Sequence, residues 1–522
     1  VGGVGGEVGE GGEGGEGGDG GVGGDGGDVG EGGDGGDGGD GGDGGDGGDG
    51  GEDPGPPPQT LTLARIAAQG DAVPGQAGAT FTYLGTPVID AAGRVAFWGK
   101  YTGGRGADGL YVWDGMALVR VFDDDPTALN NLPGDYDAQR HGLKTENELP
   151  LAWGTDGRLV FVAWIRNDGQ AIFQWRASDG EIVRLVDPAL QQQRYTDVNQ
   201  NVFNCEFFQP ALGDDGVVSY ACRYTYITTT NSFVTNQRGV FRSNGSTVTR
   251  VMDSHPPGRV KVPDRPDAYF TRDVGALTSQ GTGGSILLQA AYEYDEAPTG
   301  AGSRGVYLGY TDGKLYRAVD NRSSGSFPGL IAGSVVNSAG TAYQAVAMGP
   351  GTRCAIDTTL TIGTTTRETV VYWNGSAFVE LTGGAQYATA LLSGINSAGQ
   401  TLILAGGLPY RTDGATTVEL TNGAPFGFEW QAVPGAINNH GRALLRYSRT
   451  GGTPGLAYWN GERIIVVADA VEGTLLGITE ITLVGSPELD RPGRSGALND
   501  VSDMTFRVTK PAGLEVWVGA MR

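Results

Sequence analysis

Three consecutive carboxylates, Asp123, Asp124 and Asp125 in the segment FDDDPT, have the chemistry to bind a metal ion. Ca²⁺ takes hard oxygen ligands, and carboxylates supply them. No EF-hand spacing of ligands surrounds the segment, so a solvated loop explains the same residues equally well. These residues are therefore a weak candidate Ca²⁺ site, and the sequence predicts no other cofactor.

The three histidines, His141, His255 and His440, do not have the spacing of a metal cluster. His440 lies in the turn sequence NNHGR, where it is expected to be exposed to solvent. The chain also lacks the GxSxG, HExxH and Walker motifs. The sequence therefore predicts a protein that is not an enzyme, and a polysaccharide lyase or hydrolase is the least favoured alternative.

Two of the three cysteines, Cys205 and Cys222, flank the turn sequence GDDG and are expected to face each other on adjacent strands. They could form a disulfide in an oxidising compartment, and they could equally remain thiols. Cys354 would be left unpaired in either case. Three cysteines in 522 residues are too few for a disulfide scaffold.

Between residues 60 and 522, a short turn sequence recurs, and each copy is followed by an apolar run typical of a strand. The eight copies are DAAGRVAFW (90–98), GTDGRLVFV (154–162), GDDGVVSYA (213–221), GTGGSILLQ (281–289), NSAGTAYQA (337–345), NSAGQTLIL (396–404), NNHGRALLR (438–446) and NDVSDMTFR (499–507). The glycine, or the Asn or Asp three residues before it, is predicted to supply the positive φ that the turn needs.

Each unit continues with a second strand that ends in Asp-Gly or Asn-Gly, as in VVYWNG (370–375), and with a third strand, as in ALVRVFDDD (117–125). Asp-Gly and Asn-Gly favour the type I′ turns of tight hairpins. A tryptophan recurs at one place in the second strand: Trp113, Trp175, Trp373, Trp459 and Trp517. This recurrence predicts packing between neighbouring units rather than a carbohydrate-stacking surface.

The spacing of the units, roughly 40–65 residues, is that of four-stranded propeller blades. The eighth unit has no third strand of its own, and LTLARIAAQGD (61–71) has the sequence of that missing strand. An N-terminal strand in the last blade would close the ring and remove two exposed sheet edges. The fold is therefore predicted to be all-β, an eight-bladed β-propeller, with seven blades as the alternative.

The turn sequence DAAGRVAF and its copies resemble the NxxGxxxF tandem-repeat proteins, which are secreted or surface-anchored bacterial chains. The resemblance covers residues 60–522. It implies a propeller-like repeat and an extracellular or cell-surface location, and it implies no catalytic residues.

The net charge of −24 is concentrated at the start of the chain, where residues 1–60 hold sixteen Asp or Glu and no Lys or Arg. No basic patch is present, which argues against nucleic-acid binding. No run of about 18 apolar residues occurs, so no transmembrane segment is predicted.

Residues 1–52 form an acidic arm in which every third residue interrupts a glycine background. Eighteen positions share this frame, and fifteen are acidic and three are valine. A flexible linker does not require such a frame, although drift in a simple coding repeat also produces one. In a helix with three residues per turn, the acids form one stripe and the bare glycine edges can bond to neighbouring arms. The arm is thus either disordered or a polyglycine II-like element.

The chain is therefore predicted to comprise the arm (1–52), a proline-rich hinge (53–59) and the propeller (60–522). The favoured function is an extracellular structural protein that self-associates into a filament or fibre, with the propeller as a head. The predicted assembly residues are Asp34, Asp37, Asp40, Asp43, Asp46 and Asp49, with the glycines between them. The alternative is a surface-tethered propeller that binds a glycan, an ion or a protein.

Overall fold

A computed structural model describes the chain from residue 60 to residue 522, with gaps. The residues outside the description are 1–59, 126–149, 155, 166–168, 188–201, 214, 228–232, 255–259, 264, 281–284, 295–302, 310–313, 321–333, 337–342, 349–352, 363, 375, 382–389, 397, 426, 432–435, 472–474, 476 and 484–496. Contacts divide the chain after Pro58, and Gln59–Arg522 forms one compact unit.

The described strands form eight antiparallel sheets that follow one another along the chain, and the fold is an eight-bladed β-propeller. This confirms the predicted fold class and blade number. The described residues contain no helix, and therefore none long and apolar enough to cross a membrane.

Each blade has four strand positions, called first to fourth across the sheet from the side of the repeated turn, and blade 4 has an additional two-residue strand that pairs with its first strand. The strands of blades 1 to 4 are β2 (Thr80–Leu84), β3 (Val88–Ile89), β4 (Val95–Thr102), β5 (Asp108–Trp113) and β6 (Leu118–Asp123); β7 (Leu151–Trp153), β8 (Arg158–Ile165), β9 (Gly169–Arg176) and β10 (Ile182–Val186); β11 (Val202–Leu212), β12 (Val218–Ile227), β13 (Phe233–Ser243) and β14 (Val248–Asp253); and β15 (Lys261–Val262), β16 (Arg265–Gln280), β17 (Ser285–Tyr294), β18 (Ser303–Gly309) and β19 (Leu315–Asp320).

The remaining four blades complete the ring. Their strands are β20 (Ser334–Val336), β21 (Tyr343–Met348), β22 (Cys354–Ile362), β23 (Thr365–Trp373) and β24 (Phe378–Glu380); β25 (Ala390–Ile395), β26 (Thr401–Ala405), β27 (Leu408–Thr412) and β28 (Thr417–Glu419); β29 (Phe428–Trp430), β30 (Ala436–Ile437), β31 (Ala443–Arg449), β32 (Pro454–Trp459) and β33 (Ile464–Asp469); and β34 (Glu480–Thr482), β35 (Asp503–Lys510), β36 (Gly513–Met521) and β1 (Leu61–Ala68).

The first strands lie closest to the propeller axis, because the first strands of several neighbouring blades contact each other: β3 contacts β7, β7 contacts β11, and β25 contacts β30. In blades 1, 5 and 7 the first position holds two short strands that pair with the same second strand. These innermost strands lie in the segments between the repeated turn-and-hairpin units, and the sequence analysis did not identify them.

The second strands are buried on both faces because each one is enclosed by two neighbouring blades. In β4, Phe97 packs into an apolar cluster shared with blade 8, and the adjacent Trp98 packs into one shared with blade 2. Both side chains are at most 2% exposed. Burying each such ring stabilises the fold by about 2–3 kcal/mol, which explains the continuous apolar run after each turn.

The N-terminal strand closes the ring as predicted. β1 pairs antiparallel with β36 from Leu61 opposite Met521 to Ala68 opposite Glu515, and it is the fourth strand of blade 8. The backbones of Thr60 and Arg522 exchange two hydrogen bonds at its start. The first and last described residues of the propeller are therefore adjacent.

The fifth turn copy was assigned wrongly. The second strand of blade 5 is β22, and the copy NSAG at 337–340 comes before both β21 and β22. The additional strand β21 lies between the motif and the second strand. The motif alone therefore places the second strand of this blade too early in the chain.

The recurring tryptophans pack at the boundaries between blades, which confirms their predicted role. Trp175 lies in the cluster between blades 1 and 2, and Trp459 in the cluster between blades 6 and 7. Trp113, Trp373 and Trp517 are half-buried against the clusters between blades 8 and 1, blades 4 and 5, and blades 7 and 8, respectively.

Candidate functional site

The turns between first and second strands are the most regular polar feature of the propeller. In blade 7, the side-chain oxygen of Asn438 accepts hydrogen bonds from the backbone N–H of His440 and of Arg442. Gly441 has a φ of 70°, which a glycine adopts at little cost. The glycine, and not the Asn or Asp, therefore supplies the positive φ, and the Asn or Asp caps the turn.

The same turn geometry recurs in other blades. The Asp90 side chain accepts a hydrogen bond from the backbone N–H of Arg94, and the Asn396 side chain accepts one from the N–H of Gln400. The Asn499 side chain likewise accepts one from the N–H of Asp503. In blade 8 the glycine is replaced by Ser502, which is the one described non-glycine residue with a positive φ, 69°. We call the turns at Asp90, Asn396, Asn438 and Asn499 the turn ring.

The turn ring connects neighbouring blades through the side-chain amides. Asn396 donates to the carbonyl of Asn438 at 2.7 Å, and Asn438 donates to the carbonyl of Asn499 at 3.2 Å. Asn499 donates to the carbonyl of Asp90 at 3.1 Å, across the boundary between the last blade and the first. An aspartate could accept within its own turn but could not donate to the next blade, which explains the asparagines.

The residue after the turn glycine also contacts the next blade. The Arg94 guanidinium lies 5.4 Å from the ring centroid of Trp153 in blade 2. A Cβ at Gly157 would collide with that guanidinium. The turn glycine is therefore required for its own φ of 79°, and it also leaves room for an arginine side chain from the preceding blade.

Replacing Asn438 by alanine should lower the free energy of unfolding by about 1–3 kcal/mol, because two partly buried turn hydrogen bonds and one buried inter-blade hydrogen bond are lost. Chemical denaturation monitored by tryptophan fluorescence measures this change. Asn439→Ala is the matched control, since Asn439 is the exposed neighbour in the same turn. Equal losses for the two variants would contradict the role assigned to Asn438.

A second polar cluster recurs at the end of the fourth strand, which the sequence analysis had counted as the third. Buried aspartates there, Asp123, Asp253 and Asp469, each accept from a tyrosine on the second strand. Each also contacts an arginine of its own blade, as Arg449 does with Asp469 at 2.8 Å. A repeated Arg-x-x-Asp pattern in VRVFD and VTRVMD was the available sequence signal.

The candidate Ca²⁺ residues lie in this cluster in blade 1. Gln76 donates to Asp123 at 2.8 Å and to Asp125 at 3.0 Å, while Asp124 accepts from the backbone N–H of Ala107 at 2.6 Å. All three carboxylates are less than 9% exposed. Burial, followed by the Asp123 charge, raises the pKa of the Tyr101 phenol well above its ordinary value, so the phenol stays a neutral donor.

The described residues contain no group of three or more His, Cys, Asp or Glu that could hold a metal ion. In this arrangement the three carboxylates are bound to protein donors, and a cation would have to displace them. Ca²⁺ binding by Asp123, Asp124 and Asp125 stays a prediction.

The other predicted residues are distributed as follows. His440 is exposed in its turn, as expected, whereas His141 and His255 lie outside the described residues. Cys205 and Cys222 lie on the paired strands β11 and β12 as free thiols, and the disulfide stays a prediction. The assembly residues from Asp34 to Asp49 are all outside the described residues.

A buried carboxylate that the sequence analysis missed lies between blades 5 and 6. Asp357 on β22 is 2% exposed, and its Oδ2 accepts from the N–H of Leu392 on β25 at 3.1 Å. Its Oδ1 is buried without a hydrogen-bond partner in the described part of the chain. Burial is the main cause that raises the pKa of Asp357 to about 7, and the charge of Glu368 adds to it.

No protein-family model and no curated protein matches the chain. Similar solved structures include the β-propeller domain of the Trilobed protease from Pyrococcus furiosus, at 9% identity over 75% of this chain and 99% of that chain, with a TM-score of 0.39. A Mycobacterium tuberculosis puromycin-hydrolyzing peptidase is 9% identical over 81% of this chain and 58% of its own, with a TM-score of 0.40. An ulvan lyase of polysaccharide lyase family PL25 is 12% identical over 78% and 98%, with a TM-score of 0.32. This likeness concerns the propeller fold alone.

Proposed function

We propose that this protein is a non-enzymatic, extracellular structural protein that assembles into a filament or surface fibre through its glycine-rich arm. The propeller is the head carried by each subunit. The observation that carries the proposal is the three-residue frame of residues 1–52, whose eighteen positions never shift. The resemblance of the propeller repeats to the NxxGxxxF proteins supports the extracellular location.

The arm has the composition of a self-associating strand. In a polyglycine II-like helix it would be roughly 160 Å long, with one acidic stripe and two bare glycine edges. Ordering glycine costs about 1–2 kcal/mol per residue, so an isolated arm has no means of staying ordered. Backbone hydrogen bonds to other arms, or to a neighbouring subunit, supply the missing partners. When the arm of one subunit binds a different surface of the next subunit, the assembly need not close into a ring and can grow into a fibre.

The recurring polar groups of the propeller support its role as a head. Asn438 and Asn499 of the turn ring bond to the next blade, and Asp123 and Asp469 bond to tyrosine and arginine within their own blade. The asparagines join neighbouring blades, the aspartates stabilise their own blade, and all four side chains are engaged inside the protein. A rigid, self-contained ring suits a decorating subunit.

Negative-stain electron microscopy of the full chain beside a variant lacking residues 1–52 tests the proposal. Filaments are expected only when the arm is present. Ca²⁺, added salt or low pH should favour them, because each weakens repulsion between the acidic stripes. A third variant, with the same arm composition in shuffled order, tests the frame itself.

Filaments formed without the arm would contradict the proposal, and filaments formed equally well by the shuffled arm would contradict the importance of the frame. Isolated rings in every sample would make the arm a tether. That outcome supports the alternative of a binding module for a glycan, an ion or a protein. A thermal-shift screen of sugars and divalent ions would then identify the ligand class.

A further inference from the structure

Two cysteines of blade 3 lie on the same face of two paired strands. Phe207 on β11 is opposite Cys222 on β12, and Glu206 is opposite Arg223. Cys205 lies at a β-bulge between Phe203 and Glu206, and its side chain packs in the same apolar cluster as that of Cys222. The two thiols are within hydrogen-bonding contact.

The pair is enclosed by the apolar cluster between blades 2 and 3. Cys205 is 3% exposed and Cys222 is 0% exposed, and Phe207, Tyr220 and Val160 pack in the same cluster. Burial, followed by the hydrogen bond to Cys205, raises the pKa of the Cys222 thiol well above its ordinary value. In the folded ring this thiol is therefore neutral and a poor nucleophile.

We propose that Cys205 and Cys222 form a structural disulfide that joins the first two strands of blade 3 when the chain folds in an oxidising compartment. The oxidant is an external disulfide, such as oxidised glutathione or an oxidoreductase. The Cys205 thiolate attacks it to give a mixed disulfide and one released thiol. Cys222 then displaces the second thiol, so the protein loses two protons and two electrons and the oxidant gains them.

The bond forms before blade 2 packs against blade 3, because the completed cluster excludes both the oxidant and the thiolate. It acts as a permanent cross-link and not as a redox sensor, since sensor cysteines are exposed and have a low pKa. The link closes a short loop around the GDDG turn, and it restrains the unfolded chain accordingly.

Cys354 provides an internal control. It lies on β22 in blade 5, is 0% exposed, and packs against Leu287 and Ile356, while the other two cysteines are in blade 3. Burial raises the pKa of its thiol to about 12. It has no nearby cysteine and is expected to remain a thiol under every redox condition.

The full chain, refolded in a mixture of oxidised and reduced glutathione, tests the proposal. The protein is denatured without reductant, alkylated, and analysed by intact mass and peptide mapping. One alkylated thiol per chain is expected, at Cys354, together with a peptide linking Cys205 to Cys222. The variant Cys354→Ser should carry no alkylated thiol, and this variant leaves the pair unchanged.

Three alkylated thiols after oxidative refolding would overturn the proposal, and so would a link that involves Cys354. Cys205→Ser and Cys222→Ser should each have two alkylated thiols, and this count is made on the denatured chain whether or not the variant folds. The result does not depend on the arm. Absence of filaments together with an intact disulfide would contradict the proposed function alone. Filaments formed by a protein without the disulfide would contradict this proposal alone.

Discussion

Deleting residues 1–68 is expected to abolish the cooperatively folded propeller, whereas deleting residues 1–59 leaves it intact. The two deletions differ in β1, which supplies the fourth strand of blade 8. Ala67 packs into the cluster shared by blades 8 and 1, and Leu61 and Leu63 pack against the cluster of blades 7 and 8.

The expected loss is large because several kinds of interaction disappear together. The strand's hydrogen bonds to β36 contribute about 1 kcal/mol each, and its buried apolar groups contribute a few kcal/mol more. The total approaches the 5–15 kcal/mol that is typical of a whole domain. The deletion also exposes β36 as an unpaired edge, which promotes aggregation.

Circular dichroism melting and size-exclusion chromatography compare the two deletions. A synthetic peptide of residues 60–68, added to the longer deletion, should restore part of the folded signal by pairing with β36. Equal melting midpoints for the two deletions would show that β1 is dispensable and would contradict its closing role.

The repeated turns made most of the fold predictable. A glycine that must adopt positive φ, as Gly441 does, cannot be replaced cheaply, so it marks the turn in the sequence. The apolar residue four positions later, such as Phe97 or Phe506, is fully buried and equally constrained. Both constraints occur at this fixed spacing in six of the eight copies, whereas the fifth copy has Gln344 at the apolar position and the eighth has Ser502 in place of the glycine.

The innermost strands could not be predicted because nothing comparable constrains their sequences. β3 and β30 have two residues each, too few to show any alternation. Their positions come from pairing with β4 and β31, which is a long-range interaction that overrides local propensity. The inter-blade hydrogen bonds of the turn ring could not be predicted for a similar reason. The partner of each asparagine amide is a carbonyl more than forty residues away, and for Asn499 it lies across the closure of the ring.

Asp357 was overlooked because it is a single acid within the run CAIDTTL, and no repeat draws attention to it. Its surroundings are the apolar residues of the boundary between blades 5 and 6, among them Ala355, Val370 and Leu392. An ionised carboxylate in this place is costly unless it is paired, and only one of its oxygens has a hydrogen-bond donor in the described residues.

Asp357→Asn is therefore expected to stabilise the propeller above neutral pH and to leave its stability nearly unchanged at pH 4. The pKa of Asp357 is raised from 3.8 to about 7, so the folded state favours the protonated carboxyl. Its stabilising contribution is fully present below the unfolded pKa and is lost as the pH rises through 7. At 1.36 kcal/mol per pKa unit, the wild-type chain loses about 4 kcal/mol between pH 4 and pH 8.

The asparagine keeps an oxygen for the N–H of Leu392 and carries no charge to desolvate. Urea unfolding at intervals between pH 4 and pH 8 measures the slope of stability with pH for each protein. The variant should show a distinctly shallower decline than the wild type. The buried amide N–H₂ lacks a partner in the same pocket, so the gain at pH 8 will be smaller than the full 4 kcal/mol, on the order of 1–3 kcal/mol.

Asp413→Asn is the matched control in the adjacent blade. Backbone hydrogen bonds from Thr416 and Ala415 lower the pKa of this exposed carboxyl below 3.8, so its contribution is lost only as the pH falls below that value. Its removal should leave the slope between pH 4 and pH 8 unchanged. Parallel slopes for wild type and Asp357→Asn would mean that water or a cation reaches Asp357, and that the boundary between blades 5 and 6 is open to solvent.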